Sequence, residues 1–428
     1  MNHFASKFSR RQFLLSSGAA ALGTIVLHGC TDSPNQYDAS DTIKIGFLGQ
    51  TDAAPLIIAQ VKGLFAKHGV PNVTLVKQPS WGVTRDNLQL GSKGGGIDGA
   101  MVLSPMPYQM ALGTATVNRQ RIPMYLLARL NTGGQGFSIS NEYKGLGTKL
   151  DTSVLREKVQ AAKSKGNHLR FAMTFKGGTS DLMLRYWLAA GGIDPVQDVG
   201  IITVPGPQLV SNMRVKNIDG FCVGDPFHVR LINQELGYTA ATTNEFWSDH
   251  PEKALAFHGK WVDKNPQAAK GILKGLIEAQ QWCDRLVNRT EMAQILSEPD
   301  WAKVPVEDIS DRLQGRIIYG DDRPVAENSQ NIMHYWENNA SFPYKSHDLW
   351  FLTENQRWGM MDSNIDVKTA INNVNRADLW REAAKEMNIP VAQIPPTDSR
   401  GVETFFDGVK FDPENTNAYL NSLKIKAI

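Results

Sequence analysis

Residues 43–77 read IKIGFLGQTDAAPLIIAQVKGLFAKHGVPNVTLVK. Ile43 to Leu48 is a short apolar run of the kind that fills a buried strand. Ala54 to Lys67 reads as a helix, with Leu56, Ile57, Val61, Leu64 and Phe65 on one side, Pro55 in its first turn and Gly69 as its stop. Val73 to Lys77 reads as the next strand. Outward from this unit the alternation repeats, with strands expected at Asp98–Val102, Pro123–Leu127, Arg170–Thr174, Ile201–Val204 and Gly220–Val223. Helices are expected at Asp181–Ala190, Leu209–Val215 and Asn265–Arg285. Such order predicts an α/β protein whose sheets are mainly parallel and covered by helices. No repeat of solenoid or propeller period is visible. From about Val304 the strand signals thin and aromatic residues accumulate, among them Tyr335, Trp336, Trp350, Phe351 and Trp380. Rings of that size need buried partners, so this end is expected to wrap an existing lobe.

With 428 residues the chain is long enough for two or three domains. A hydrophobic share of 42% and a charged share of 21% are those of a globular body, and no run of about 18 apolar residues is present to span a bilayer. The formal charge of +2 includes Lys7, Arg10 and Arg11, which lie in the first 29 residues, a stretch without Asp or Glu. Without those three, 42 basic residues face 43 acidic ones. A body so nearly neutral lacks the basic footprint that nucleic acid requires, and any anion it takes must be read by a local site.

The amino terminus carries Ser9-Arg10-Arg11-Gln12-Phe13-Leu14-Leu15, a small and apolar stretch from Ser16 to Leu27, and Gly29-Cys30. It resembles a twin-arginine export signal ending in a lipobox, which implies removal of residues 1–29 and acylation of Cys30. Residues 30–42, rich in Asp, Ser, Asn and Pro, are expected to be a tether. The two remaining thiols, Cys222 and Cys283, are too far apart in sequence for a metal knuckle or a CxxC redox pair and are expected to be buried apolar residues. The glycine-rich run Gly91 to Gly99 lacks the Lys-Ser/Thr of a phosphate loop and reads as a turn.

Longer blocks point to one family. Ala54-Pro55-Leu56-Ile57-Ile58, Gln78-Pro79-Ser80-Trp81, Arg85-Asp86-Asn87, Gly94-Gly95-Gly96-Ile97-Asp98-Gly99, Arg185-Tyr186-Trp187-Leu188-Ala189-Ala190-Gly191-Gly192-Ile193-Asp194-Pro195, Gly224-Asp225-Pro226, His250-Pro251-Glu252 and Tyr344-Lys345-Ser346-His347-Asp348-Leu349-Trp350-Phe351 span nearly the whole chain. Together they resemble the ABC-transporter solute-binding proteins for nitrate and bicarbonate, of the nitrate-binding type. The resemblance implies a two-lobed type II periplasmic binding protein clamp, with the ligand in the cleft. Lobe I would comprise residues 43–135 and 245–428, the latter including the carboxy-terminal wrap, and lobe II residues 136–244. It implies a binding component and no enzyme, no resident cofactor or metal, partners in an ABC permease and ATPase, and a place on the periplasmic face of the membrane, held there by the amino-terminal lipid.

The resemblance also assigns site residues. Trp81 matches the family's cleft tryptophan, Gln135 its polar side chain in the first crossing between lobes, Gly224 its backbone contact, and Lys253 its cation. These types suit a flat monovalent anion, because nitrate has three acceptor oxygens and no proton, and therefore needs donors and a positive charge. Nitrate-type members carry a histidine two residues after the phenylalanine matching Phe175, where this chain has Gly177; Lys176 or Thr179 is the candidate replacement donor. In bicarbonate-binding members a second glutamate that helps hold calcium follows His-Pro-Glu. Lys253 stands there in this chain, and a lysine repels calcium and attracts an anion. Nitrate or nitrite is therefore the expected ligand, with calcium-assisted bicarbonate binding as the alternative. A thiamine-precursor enzyme and a cytosolic nitrate sensor on related folds are the readings from other classes. No Cys/His cluster or Ser/His/Asp order supports the enzyme, and His228, His250 and His258 are expected to be structural. The export signal argues against the sensor.

Overall fold

A computed structural model describes residues 41–427; the expected export signal, Cys30 as the expected acylation site and most of the expected tether lie outside them. Strands β1 (Ile43–Phe47), β2 (Val73–Lys77), β3 (Gly99–Leu103) and β4 (Met124–Arg129) form the first part of one sheet. Strands β5 (Gln135–Ser140), β6 (Arg170–Met173), β7 (Gly200–Thr203), β8 (Gly220–Gly224) and β9 (Gly237–Thr242) form the whole of a second. β10 (Lys253–His258) then returns to the first, and β11 (Glu403–Thr404) pairs with β12 (Lys410–Phe411) in a small ribbon. The orders are β2-β1-β3-β10-β4 and β7-β6-β8-β5-β9. With helices flanking both sheets, this is the two-lobed α/β architecture expected from the sequence.

The expectation of mainly parallel sheets fails in a regular way. β1 runs parallel to β2 and β3, and β6 parallel to β7 and β8. β10 is antiparallel to β3 and β4, and β5 is antiparallel to β8 and β9. In each sheet the fourth strand in order is the one through which the chain arrives from the other sheet. It enters from the opposite end and so runs against its neighbours. The predicted single helix Ala54–Lys67 is also two, Ala54–Val61 and Leu64–Lys67, broken where Gly63 takes φ +65°. That left-handed conformation is one that glycine adopts without a Cβ penalty.

The two passages between sheets lie side by side. Leu130 N donates to Lys253 O at 2.8 Å, Glu252 N to Asn131 O at 3.2 Å, and Gly133 N to His250 O at 2.9 Å. The carboxy-terminal segment touches both sheets. Arg376 N donates to Leu126 O at 2.9 Å beside the first, and Thr239 N to Tyr319 O at 2.7 Å beside the second. Tyr335, Trp350 and Trp380 are buried, as their accumulation predicts.

Candidate functional site

Lys253 opens β10, immediately after the passage back into the first sheet, and its side chain is 1% exposed. Asp52 lies in the turn after β1 and places Oδ2 2.7 Å from Lys253 Nζ. Glu252, next in the chain, forms a second ion pair through Oε1. Trp81 is the first residue of the helix Trp81–Leu90, whose start is capped by Ser80 Oγ accepting from Val83 N, and Lys253 Nζ lies 5.4 Å from the centre of its ring. This distance is within the range of a cation–π contact.

From the second sheet, Gln135 at the head of β5 pairs in register with Gly224 at the end of β8. A Cβ at Gly224 would stand 3.1 Å from Asp52 Oδ2 and 3.8 Å from Lys253 Nζ, so bare backbone approaches the charges there. Gln135 Nε2 donates to Thr179 Oγ1 at 3.0 Å, and Thr179 Oγ1 in turn donates to Glu252 Oε1 at 2.8 Å. Cys222 Sγ donates to Gln135 Oε1 at 3.3 Å. The four residues singled out by resemblance, Trp81, Gln135, Gly224 and Lys253, thus meet in one buried cluster contributed by both sheets.

The cluster contains more than those four. Asp52 and Glu252 were missed, although both are buried beside the lysine. The sequence signal for Asp52 was charge in largely apolar surroundings, and that for Glu252 was its place in the His250-Pro251-Glu252 block. Of the two candidate replacement donors, Thr179 is in the cluster, whereas Lys176 is exposed and contributes its carbonyl to Gln109 Nε2. Gly177 adopts φ +69°, and a Cβ there would stand 2.4 Å from both Asn355 Oδ1 and Gln109 Nε2. A histidine at this position would have to displace the ends of those two side chains and hold a left-handed backbone.

Burial would lower the Lys253 pKa, but the Asp52 and Glu252 carboxylates raise it, so the side chain is a firm cation. Burial pushes the Asp52 carboxyl up, with Lys253 pulling it down and Glu252 adding to the rise. His228 and His250 are buried and hydrogen-bonded to Ser138 and Thr243, and burial lowers each to about 3. Such imidazoles stay neutral and hold structure. Among the described residues Asp284, His334 and Glu337 have metal-ligand spacing. However, Asp284 Oδ1 is 2.7 Å from Arg289 Nη2, and its Oδ2 accepts from Trp336 N and Glu337 N, so its oxygens are already engaged.

An opening of ≈ 460 Å³ is lined by Gln50 from the loop after β1, by Lys77 at the end of β2, by Gly206, Phe227 and Arg230 on the second sheet's side, and by Lys303; none of the cluster's own residues lines it. Three cations therefore stand around it.

The NMT1-like family pattern matches residues 38–297. The chain belongs to the NMT1-like family. It is 49% identical to the nitrate/nitrite binding protein NrtA of Synechocystis, and the alignment covers 100% of both chains. The bicarbonate-binding protein CmpA of Synechococcus elongatus is 42% identical, again over 100% of both. The nitrate import ATP-binding protein NrtC of Synechocystis is 33% identical over 90% of this chain and 55% of its own length. The crystal structure of periplasmic NrtA from Synechocystis superposes with a TM-score of 0.87 at 53% identity, covering 90% of this chain and 98% of that one. The resemblance read from the sequence blocks, and the two-lobed fold it implied, are therefore borne out.

Proposed function

We propose that this protein is the extracytoplasmic solute-binding component of an ABC importer, that it captures nitrate or nitrite, and that it performs no chemistry on the ligand. The buried Lys253 carries this reading. It sits where the two sheets meet, with Trp81 from one side and Gln135 and Gly224 from the other. An anion there would take the ammonium, the Gln135 amide and the backbone beside Gly224. Trp81 and Thr179 each begin a helix, where main-chain N–H groups lack intrahelical partners and favour negative charge. The cations Lys77, Arg230 and Lys303, which line one opening on the molecule, would draw anions towards it. A relative named as a nitrate/nitrite binding protein and one named as a nitrate import ATP-binding protein support the ligand class and the ABC partners.

The lobes are proposed as 43–135 with 245–428 and as 136–244, closing on the ligand about the paired passages 130–134 and 243–252. Twin-arginine export and a lipid on Cys30 would hold the protein at the periplasmic face of the membrane, consistent with the periplasmic origin of its solved relative. Calorimetric titration of the purified protein with nitrate, nitrite and bicarbonate, with and without calcium, tests the ligand. Nitrate or nitrite should bind without calcium; calcium-dependent bicarbonate binding alone would replace this reading with the alternative. Cys30→Ser should release the protein from the membrane fraction, and a variant that still sediments with membranes would reject the anchor.

A further inference from the structure

The cluster that surrounds Lys253 is not electrically matched to an anion. One ammonium faces two carboxylates, and Asp52, Glu252 and Lys253 are all within 1% of full burial. With both carboxylates ionised the group carries a net negative charge before any ligand arrives. Three of the carboxylate oxygens, Asp52 Oδ1 and Oδ2 and Glu252 Oε2, have no hydrogen-bond partner among the described residues, although Asp52 Oδ2 is ion-paired with Lys253 Nζ. A second negative charge in this water-poor site would be opposed by both carboxylates unless one of them were neutralised.

The two acids are not equivalent. Glu252 accepts from Thr179 Oγ1 as well as from Lys253. Asp52 has only the ammonium as a close donor, on Oδ2. The groups that face it come from every surrounding element: Lys253 and Glu252 at the head of β10, Asp225 after β8, and Tyr335, whose hydroxyl donates to Thr51 O at 3.1 Å. Asp225 is tied to Arg312 at 3.1 Å, so its charge is largely answered elsewhere. Cys222 is a buried neutral thiol.

Resting on the proposed anion-binding function, we propose that the site takes its anion together with one proton, which Asp52 accepts on Oδ1. The proton comes from solvent, the carboxylate becomes a carboxylic acid, and its O–H donates to an oxygen of the bound anion. A carboxylate can only accept, whereas the acid offers a donor, so one event removes a repulsion and adds a contact. Burial already pushes the Asp52 carboxyl above its ordinary value, in the direction that uptake requires. Asp52, more than Lys253 alone, would then make the site selective for species with several acceptor oxygens.

Calorimetry of nitrate binding in two buffers of different ionisation heat at one pH counts the protons. About one proton should be taken up per anion, and affinity should rise up to about tenfold per unit as pH falls from about 8.5, levelling off once Asp52 is protonated in the free protein too. Asp52→Asn, neutral at every pH, should bind nitrate more tightly than the native protein at about pH 8 and should lose both the buffer and the pH dependence. Nitrate binding with equal heats in both buffers and a flat pH profile would overturn the proton and leave the anion-binding function standing. Affinity that rises with calcium and without proton uptake would also overturn it, because a cation would then supply the neutralising charge. A folded Asp52→Asn protein that no longer binds nitrate would show that the ionised form is needed. No nitrate binding by the native protein at any pH would reject the function itself. Should Asp52→Asn fail to fold, the two-buffer measurement on the native protein still decides.

Discussion

Two buried aspartates, each beside a cation, behave in opposite ways. Asp284 closes the long helix Pro266–Asp284 and is satisfied on both oxygens, by Arg289 on one and by the N–H groups of Trp336 and Glu337 on the other. Burial would raise its carboxyl, but His334, those N–H groups and Arg289 bring it down to about 2. Asp52 has one cation that it shares with Glu252, an orphaned oxygen, and a carboxyl shifted upward. The first is a structural joint that holds segment 334–337 to the helix. The second leaves bonding capacity unused, as expected where a ligand completes the arrangement. Burial and a nearby cation are common to both, and satisfaction of the oxygens separates them.

The largest expected effect falls on the unsatisfied cluster. Lys253→Glu would place three acids together, and nitrate binding should vanish. Lys253→Ala should weaken it at least about thirtyfold, since truncating one partner of a buried charge contact costs roughly 2–5 kcal/mol. Titration of both variants, with melts to show that they fold, checks this; unchanged affinity in a folded Lys253→Glu protein would remove Lys253 from the site.

Asp284→Ala should act on stability instead. It strands the buried Arg289, and breaking such a pair costs about 3–5 kcal/mol, while nitrate affinity should move by less than about threefold. Denaturant unfolding read beside titration separates the two outcomes, and a reversed pattern would erase the distinction between the aspartates. The same joint sets a pH signature. Because the folded carboxyl lies below its unfolded value of 3.8, its contribution is fully present above that value and is lost as pH falls towards about 2. It amounts to about 2 kcal/mol. Acid melts of the native protein and of Asp284→Asn should converge in that window.

Gly177→His restores the residue of the nitrate-type relatives, yet it should destabilise the protein by about 2–3 kcal/mol without improving nitrate affinity. The histidine would have to hold a left-handed backbone and displace the ends of the Gln109 and Asn355 side chains. Tighter binding with unchanged stability would show that the pocket reshapes to admit it. The smallest effect is expected at Thr179→Val, which removes the hydroxyl between Gln135 and Glu252 and should cost about 1 kcal/mol of stability. It should also weaken nitrate binding only severalfold, measurable by titration.

Much of this molecule was legible in one dimension. The strands around Ile43, Val73, Gly99, Arg170, Gly200 and Gly220 and the helices after β1, β6 and β7 announce themselves by local apolar period, because each element buries a face set by its own repeat, whereas the helices Trp81–Leu90, Met106–Leu112 and Phe227–Asn233 were not foreseen. The resemblance supplied Trp81, Gln135, Gly224 and Lys253, and all four meet. Strands β5, β9 and β10 were not foreseen, and β5 and β10 are the ones that turn two expected parallel sheets into mixed ones. A strand's period of two says which side chains share a face and says nothing about which way its neighbours run. That direction follows from how the chain passes between lobes, which is a property of the whole path. The same holds for charge. Lys253 reads as a cation anywhere in the chain, but whether it is free, paired or outnumbered depends on Asp52 and Glu252 being folded against it, and Coulomb energy follows distance in space, not separation along the sequence.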